Sequence, residues 1–181
     1  MIRLGYAITT TAAVSLLGVM SIVSVAPKLI WNASASTPIG LYAIERDRSL
    51  EIADLVAVRA PGPLATFMIQ RGYTAAGVPL MKRVAALPGQ RICRSGKAIT
   101  IDTVPMGDAL ERDRLGRPLP VWQGCQIVAP DELFFMNWEV NDSLDGRYFG
   151  PLPSSTVIGR ATPLYTDEDG DGRFVWRAPT R

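Results

Sequence analysis

The amino-acid sequence predicts a mainly β, antiparallel domain preceded by one N-terminal transmembrane helix. Residues Leu4 to Ala26 form 23 positions without a charge, enough for a helix to span about 30 Å of hydrocarbon. The remaining chain alternates short β-branched or aromatic segments with Gly, Pro, Asp and Ser, which is typical of antiparallel strands. At 181 residues it has room for a single folded domain after the helix. We therefore expect a cytoplasmic stub, helix and junction over 1–31, and an extracytoplasmic domain over 32–181.

The apolar N-terminal segment has two interpretations. Arg3 on its short side favours an N-terminus in the cytoplasm, although Lys28 at the far end weakens that asymmetry. Residues 33–35, Ala-Ser-Ala, resemble the cleavage site of a signal peptide, which would make the segment a removable leader. The apolar run is long for a leader and ends at Pro27, well before that site. An uncleaved anchor is the favoured interpretation.

Composition excludes several classes of site. The net charge is only +2, with basic residues scattered along the chain, so there is no electrostatic footprint for nucleic acid. The chain contains no His, which excludes a Ser-His-Asp triad, a Cys-His pair and a His-ligated zinc. Acid-base chemistry near neutral pH must then use a shifted Lys, a carboxylate or a terminus, and we expect no metal and no cofactor.

Nine segments have the pattern of strands, namely 41–44, 54–59, 80–86, 90–93, 98–102, 126–128, 132–137, 157–165 and 173–176. Pro near the start and Gly at the end of 63–72 predict a short helix there. The mixture of Gly, Pro and charges over 104–120 predicts an exposed loop. Cys93 and Cys125 flank that loop outside any C-x-x-C motif, which favours a structural disulfide over two free thiols.

The first candidate site lies just after the apolar segment, in Asn32-Ala-Ser-Ala-Ser-Thr-Pro-Ile-Gly-Leu-Tyr42. If this stretch is extended, Ser34 and Ser36 point to the same side, because side chains alternate along a strand. Pro38 disfavours helix at the residue before it, and Gly40 allows a turn before the next strand. The alternative is a polar linker.

The second candidate is Lys82, which lies inside the apolar segment Pro79-Leu-Met-Lys-Arg-Val-Ala-Ala-Leu-Pro-Gly89. By alternation it shares a face with Leu80 and Val84, while Arg83 points to the other face. If that face is interior, desolvation lowers the pKa of Lys82 toward that of a general base. The alternative is an edge-strand lysine that prevents sheet pairing.

The third candidate is the polar turn Asn141-Asp-Ser-Leu-Asp-Gly-Arg-Tyr-Phe-Gly150. Ser143 could hydrogen-bond an amine, and Asp145 with Arg147 could form a fixed ion pair. A surface turn is the alternative in this case as well.

Taken together and in this order, the three motifs resemble those of the signal peptidase I family of Ser-Lys proteases. The Ser-Thr-Pro-Ile-Gly-Leu-Tyr form, with Pro two residues after the serine, is most similar to the conjugative-transfer branch of that family, the pilin-maturing peptidases of the TraF type. The resemblance implies a signal-peptidase-like β domain. It implies Ser36 as nucleophile and Lys82 as general base, with the Ser36 N–H and the Ser34 hydroxyl as oxyanion hole.

The resemblance also implies that Ser143 orients the Lys82 amine and that Asp145 and Arg147 form a supporting ion pair. The chain departs from the common form of the last motif at Gly146, where that form has Ser. The start of this motif is also shorter and less rich in Asn and Arg than in bacterial housekeeping enzymes. These differences concern the supporting residues and not the Ser-Lys pair.

The resemblance further implies a membrane-anchored endopeptidase of the bacterial inner membrane, with its catalytic domain in the periplasm. Its partners would be inner-membrane lipid, the conjugation machinery and a pilin-like precursor polypeptide, and acyl transfer to an internal amine would give a cyclic pilin. A general type I signal peptidase and a non-catalytic scaffold of an envelope secretion complex are the alternative functions.

An acidic turn over 167–172 mimics the start of a calcium loop. The twelfth position of such a loop would be Ala178, so the bidentate acid is missing. We expect a solvated acidic turn rather than a calcium site.

Overall fold

The computed structural model describes residues 2–22, 27–46 and 49–179. Twelve strands lie in this part of the chain: β1 (Leu29–Asn32), β2 (Ile39–Glu45), β3 (Leu55–Val58), β4 (Leu80–Ala86), β5 (Arg91–Ser95), β6 (Ala98–Ile101), β7 (Val104–Asp108), β8 (Gly124–Ile127), β9 (Glu132–Phe135), β10 (Leu152–Pro153), β11 (Val157–Asp167) and β12 (Val175–Trp176). They are accompanied by three helices, α1 (Ile2–Ile22), α2 (Gly62–Gln70) and α3 (Gly146–Phe149), and by a 3₁₀ turn at Ser154–Thr156.

The strands form two sheets in which the paired neighbours are antiparallel. The larger sheet has the order β1-β2-β11-β3-β4-β9-β10, with β12 paired to β11, and the smaller has the order β7-β6-β5-β8. The prediction of a mainly β, antiparallel domain is confirmed. β4 and α2 lie where the sequence predicted them, whereas β1 was not predicted and extends the sheet to residues before 32 by pairing with β2.

Helix α1 covers much of the segment that was predicted to cross a membrane. It is 21 residues long and includes Arg3 and the polar run Thr9-Thr10-Thr11. Within the ranges that the structure describes, no helix combines the length and the apolarity that crossing a bilayer requires. The predicted transmembrane helix is therefore not supported, and residues 23–26 of the predicted span lie outside the described part.

β4 lies between β3 and β9 in the interior of the larger sheet, and each of its seven residues is buried. Leu80 and Val84 belong to a core cluster with residues of β3, β9 and α2. Met81 packs on the other face, in a cluster with Tyr42 and Ile44 of β2. The sheet thus has a core on both faces at β4, which explains why this strand reads as a continuous apolar run.

The segment 104–120, predicted as an exposed loop, is only partly so. It begins with β7, and Ala109 and Leu119 are buried against Tyr148. Burial of these small and aliphatic side chains fixes the segment against the polar turn of the third motif. The local Gly, Pro and charge content did not indicate this contact, because Tyr148 is distant from both Ala109 and Leu119 in the sequence.

A disulfide joins Cys93 of β5 to Cys125 of β8, which are direct partners in the ladder. We expect the variant with both cysteines replaced by Ser to lose about 2 to 4 kcal/mol of unfolding free energy, since the bridge restricts the unfolded chain. Thermal unfolding with and without a reductant measures this effect. Reductant should destabilise the native protein and leave the double variant unchanged, so an equal melting temperature for the native protein in both conditions would contradict the expectation.

Candidate active site

Ser36 lies in the connection between β1 and β2, where the buried side chain of Asn32 organises the backbone. The Asn32 Nδ2 atom lies 2.8 Å from Ser34 O, 3.1 Å from Thr37 O and 3.0 Å from Pro38 O. Its Oδ1 atom accepts the Ser34 N–H at 3.1 Å. One amide, whose two N–H protons lie among these acceptors, therefore bridges the connection and holds the loop that carries Ser36.

The hydroxyls of Ser34 and Ser36 meet, with their Oγ atoms 2.8 Å apart. The backbone turns at Ala35 and Ser36 instead of running extended, so strand alternation is not the cause of this proximity. Ser36 is half-buried and Ser34 is exposed. Among the hydrogen bonds of the described residues, none uses the Ser36 backbone N–H, which leaves that donor available beside the two hydroxyls.

Gly40 has a packing role and not the turn role that we expected. It lies within β2 at φ +149° and is paired with Thr166 of β11, close to a register shift in that ladder. A Cβ atom at this position would lie 2.2 Å from Tyr165 O and 2.7 Å from the Cα of Thr166. Only Gly allows this approach, which brings the acidic end of β11 next to the Ser36 turn.

Lys82 is buried in β4, with 5% of its surface exposed, on the face that it shares with Leu80 and Val84. The interior position of β4 rules out the edge-strand interpretation. Its Nζ donates to Ser143 Oγ at 2.8 Å. Burial lowers the pKa of Lys82 from 10.5 to about 8, the Asp145 carboxylate opposes this shift, and the Arg147 guanidinium adds to it.

Asp145 and Arg147 form a fully buried ion pair in the turn that follows β9. Arg147 Nε donates to Asp145 Oδ1 at 2.9 Å, and Nη2 donates to Oδ2 at 2.9 Å. The guanidinium also donates to the carbonyls of Val140 at 2.6 Å, Asn141 at 3.2 Å and Ser143 at 3.3 Å. Arg147 is thus the centre around which the Ser143 loop folds.

Side chains on and next to the smaller sheet also hold the Ser143 loop. Arg94 of β5 is buried and donates through Nη1 to Arg147 O, and Trp122 Nε1 donates to Gly146 O at 3.0 Å. The Tyr148 hydroxyl accepts the Leu110 N–H at 3.0 Å. Two backbone carbonyls of the third motif are therefore held by side chains from the disulfide-bonded half of the domain.

The packing around residue 146, where the common motif has Ser, leaves room only for glycine. A Cβ atom there would lie 2.6 Å from the Phe134 ring and 2.7 Å from Phe135 O. We expect Gly146→Ser to reduce the unfolding free energy by about 1 to 3 kcal/mol, because the backbone carbonyl cannot move aside. Chemical denaturation measures this loss, with Gly62→Ser as control, since Gly62 has no positive φ and no neighbours within 4 Å of an added Cβ atom. Equal stability of Gly146→Ser and the native protein would contradict the assignment.

Asn137 was not among the residues predicted from the sequence, yet it contacts each part of the site. Its Nδ2 donates to Ser36 O at 2.7 Å and to Met81 O at 3.2 Å, and its Oδ1 accepts the Arg83 N–H at 3.0 Å. Its backbone N–H donates to Asp145 Oδ2 at 3.1 Å. The only available signal was a polar residue directly after the apolar run Leu133–Met136.

A cleft of about 320 Å³ opens beside Ser36. Its lining includes Arg83 and Trp138, whose ring centroid lies 5.8 Å from the Arg83 guanidinium carbon. Acidic residues line it as well, namely Glu139, Asp167, Glu168 and Asp169. Lys82 is buried and is not part of this lining.

The acidic turn over 167–172 is held by its own backbone. Asp167 Oδ1 accepts the Asp171 N–H at 3.1 Å, and Oδ2 accepts the Gly172 N–H at 2.9 Å. In the part of the chain that the structure describes, no group of three or more acidic or thiol side chains is arranged to hold a metal ion. The Asp167 carboxylate serves as a turn-forming acceptor.

The structure thus brings the site residues predicted from the sequence together in three pairs. Ser34 bonds Ser36, Lys82 bonds Ser143, and the third pair consists of Asp145 and Arg147. Among the described residues no hydrogen bond joins Ser36 Oγ to Lys82 Nζ. The Asn137 amide instead donates to the backbone carbonyl of Ser36 and to that of Met81, the residue before Lys82. Cys93 and Cys125 lie apart, in the smaller sheet.

Comparison with known proteins gives matches over most of the chain. Residues 1–166 match the family model described as signal peptidase, peptidase S26. A conjugal transfer protein TraF of Agrobacterium tumefaciens (strain 15955) is 37% identical over 146 residues, which cover 75% of this chain and 81% of that protein. A probable conjugal transfer protein TraF of Sinorhizobium fredii (strain NBRC 101917 / NGR234) is 34% identical over 145 residues, which cover 75% of this chain and 76% of that protein.

Among solved structures, a signal peptidase I from Enterococcus faecalis V583 is matched at a TM-score of 0.37 and 19% identity, with 64% of this chain and 98% of that chain covered. The fold assignment rests on the strands and sheets of this chain and not on that overlap.

Proposed function

The chain belongs to the signal peptidase family, peptidase S26, and from this premise we propose that it is a serine endopeptidase in which Ser36 is the nucleophile and Lys82 the general base. The observation that carries the proposal is the buried Lys82, whose pKa is lowered to about 8 by burial and whose amine is held by Ser143 at 2.8 Å. In a chain without His, this is a base with a pKa near the working range.

In the proposed reaction the neutral Lys82 amine takes the hydroxyl proton of Ser36 while Ser36 Oγ bonds to the scissile carbonyl carbon. The Ser36 N–H and the Ser34 hydroxyl donate to the oxyanion of the tetrahedral intermediate. The C–N bond then breaks, and the Lys82 ammonium gives its proton to the leaving amine. Lys82 then takes a proton from water as the water oxygen bonds to the acyl carbon, the bond from that carbon to Ser36 Oγ breaks, and the Lys82 ammonium returns the proton to Ser36 Oγ. In the free protein Ser36 Oγ is paired with Ser34, so the first step requires it to turn toward Lys82.

We propose a precursor polypeptide of a conjugation system, a pilin-like protein, as the substrate. Support comes from the relatives named as conjugal transfer proteins, which are similar over about three quarters of this chain. If an amine of the same substrate replaces water in attacking the acyl group on Ser36, the product is cyclic. The Ser-Lys chemistry is the same in both cases, since the attacking group loses one proton to Lys82.

The test is mass spectrometry of a candidate pilin precursor incubated with the purified full chain. We expect a shortened product with the native protein and none with Ser36→Ala, which retains the backbone donor. A cyclic product is lighter than the hydrolysed one by one water molecule, which identifies the acyl acceptor. Identical precursor masses with the native protein and Ser36→Ala would reject the peptidase proposal and leave the scaffold function.

We propose that the enzyme acts outside the cytoplasm at the inner membrane. The disulfide supports an oxidising compartment, and the uncharged sequence from Leu4 to Ala26 supports membrane attachment. Exposed aromatic side chains on β1, β11 and β12 add support, because Trp and Tyr favour membrane interfaces. They are Trp31, Tyr165 and Trp176. The half-buried Phe174 ring stacks with those of Trp31 and Tyr165, and the Trp176 ring lies tilted against that of Tyr165. Recovery of the whole protein, reduced, from the soluble fraction of bacterial cells would reject this location.

A further inference from the structure

The side chain of Asn137 joins the two backbone segments that carry Ser36 and Lys82. Its Nδ2 atom has two protons and two carbonyl neighbours, Ser36 O at 2.7 Å and Met81 O at 3.2 Å. Its Oδ1 atom accepts the Arg83 N–H at 3.0 Å. Asn137 as a whole is only 3% exposed, so these bonds lie in a largely water-excluded part of the domain.

The two β4 contacts bracket Lys82. Met81 O precedes the Lys82 residue and the Arg83 N–H follows it, so the carboxamide pairs with β4 as a neighbouring strand would. β9 ends at Phe135, before this point, and the Asn137 side chain takes over its pairing. The remaining proton of the same amide reaches the carbonyl of Ser36, which belongs to a turn without ladder contacts to β4.

We propose that Asn137 is a positioning residue of the peptidase site, whose carboxamide sets the separation between the Ser36 hydroxyl and the Lys82 amine. This inference rests on the proposed function of the two residues. The Ser36 turn is otherwise held by Asn32, which lies on β1 and makes no hydrogen bond to β4 among the described residues. The Asn137 side chain therefore links β4 to the turn that carries the nucleophile and sets the distance between them.

The backbone of Asn137 extends this role to the third motif. Its N–H donates to Asp145 Oδ2 at 3.1 Å, and Asp145 holds Arg147 and the loop of Ser143. A shift of Asn137 would thus move the partner of the Lys82 amine as well as Ser36. A misplacement of reacting groups by about 1 Å costs about 100-fold in rate.

The test compares Asn137→Asp and Asn137→Ala in steady-state cleavage of a precursor peptide by the full chain. Asp has the shape of Asn and keeps an acceptor for the Arg83 N–H, but it cannot donate to Ser36 O or Met81 O. We expect kcat to fall about 100-fold in both variants, with KM within about threefold of the native value. Gln90→Ala is the matched control, since its side-chain amide also bridges two segments, Leu87 N and Asp102, in a region without site residues.

The pH dependence of kcat separates positioning from loss of fold. The charged groups that act on Lys82 are Asp145 and Arg147. A carboxylate at position 137 adds a negative charge next to β4, so the midpoint of the alkaline rise should move to higher pH in Asn137→Asp. Asn137→Ala adds no charge, and its midpoint should remain near that of the native protein.

The outcomes are distinguishable from failure of the proposed function. If the native protein has no activity that depends on Ser36, the function fails first. If it has such activity and folded Asn137→Asp keeps kcat within about threefold, the positioning role is rejected. Should both variants fail to fold, Asn137→Ser, which keeps a hydroxyl acceptor, is the second test; native-like kcat in that variant, or its failure to fold, would assign Asn137 to stability alone.

Discussion

Replacing Lys82 with Arg or with Met is expected to reduce kcat by about 10³-fold or more, because each variant removes the general base. A guanidinium stays charged and cannot accept the Ser36 proton, so the conservative change is as harmful as the apolar one. Cleavage of a precursor peptide, followed by mass spectrometry, measures the loss. Lys97→Arg is the matched control, since Lys97 is an exposed lysine paired with Glu111. Substantial turnover by Lys82→Arg would contradict the Ser-Lys assignment.

The native pH profile follows from the lowered pKa of Lys82. Burial shifts it from 10.5 to about 8, so the neutral amine becomes the major form only above pH 8. We expect kcat to rise through a midpoint near pH 8 and to level off about one pH unit higher. A midpoint near that of an exposed lysine would show that Lys82 is not desolvated in the working enzyme.

The same burial makes Lys82 costly for stability. Below pH 8 the folded state must either hold a buried ammonium or release its proton, whereas the unfolded state holds the proton up to pH 10.5. Burial of Lys82 therefore lowers the unfolding free energy by about 3 kcal/mol below pH 8, and this loss disappears as the pH rises toward 10.5. Lys82→Met should therefore be more stable than the native protein at pH 7, by an amount that shrinks at higher pH. Thermal unfolding at pH 7 and pH 9.5 tests this sign.

The sequence singled out side chains that the structure brings into contact, but it did not give their arrangement. β4 was predictable because seven consecutive residues carry a strand pattern, and alternation placed Lys82 beside Leu80 and Val84. The hydrogen-bond and charge partners of Lys82 come from residues 141–150, and no local pattern gives that contact. The resemblance supplied Ser143 as a partner, and the structure places its Oγ at 2.8 Å from Nζ.

Features that depend on contacts between distant parts of the chain could not be predicted in this way. β1 is four residues long and becomes a strand only by pairing with β2. Gly40 looked like a turn residue, yet the close approach of its ladder partner β11 requires it. Asn137 has no periodic or motif signal, since its importance lies in three backbone groups that are far from it in sequence. Buried amides of this kind are recognised only from their partners.

Removing the guanidinium of Arg147 is expected to have the largest effect on stability. Asp145 and Arg147 are both 0% exposed, and Arg147→Met would leave a buried carboxylate without its counterion. We expect the unfolding free energy to fall by about 3 to 5 kcal/mol, with a lower melting temperature by about 10 °C or more. Chemical and thermal denaturation measure both quantities. Loss of the donors to Val140, Asn141 and Ser143 carbonyls adds to the effect.

A control at Arg114 and a second variant at Asp145 separate the effect of the buried charge from that of the lost hydrogen bonds. Arg114→Met removes an arginine whose side chain is 85% exposed and paired with Asp142, so it should cost no more than about 1 kcal/mol. Where folded Arg147→Met can be assayed, its kcat profile should move to higher pH, because Arg147 lowers the pKa of Lys82 and Asp145 raises it. Asp145→Asn should move the profile to lower pH for the same reason. A loss of stability in Arg147→Met no larger than that in Arg114→Met would show that the buried pair does not hold the Ser143 loop.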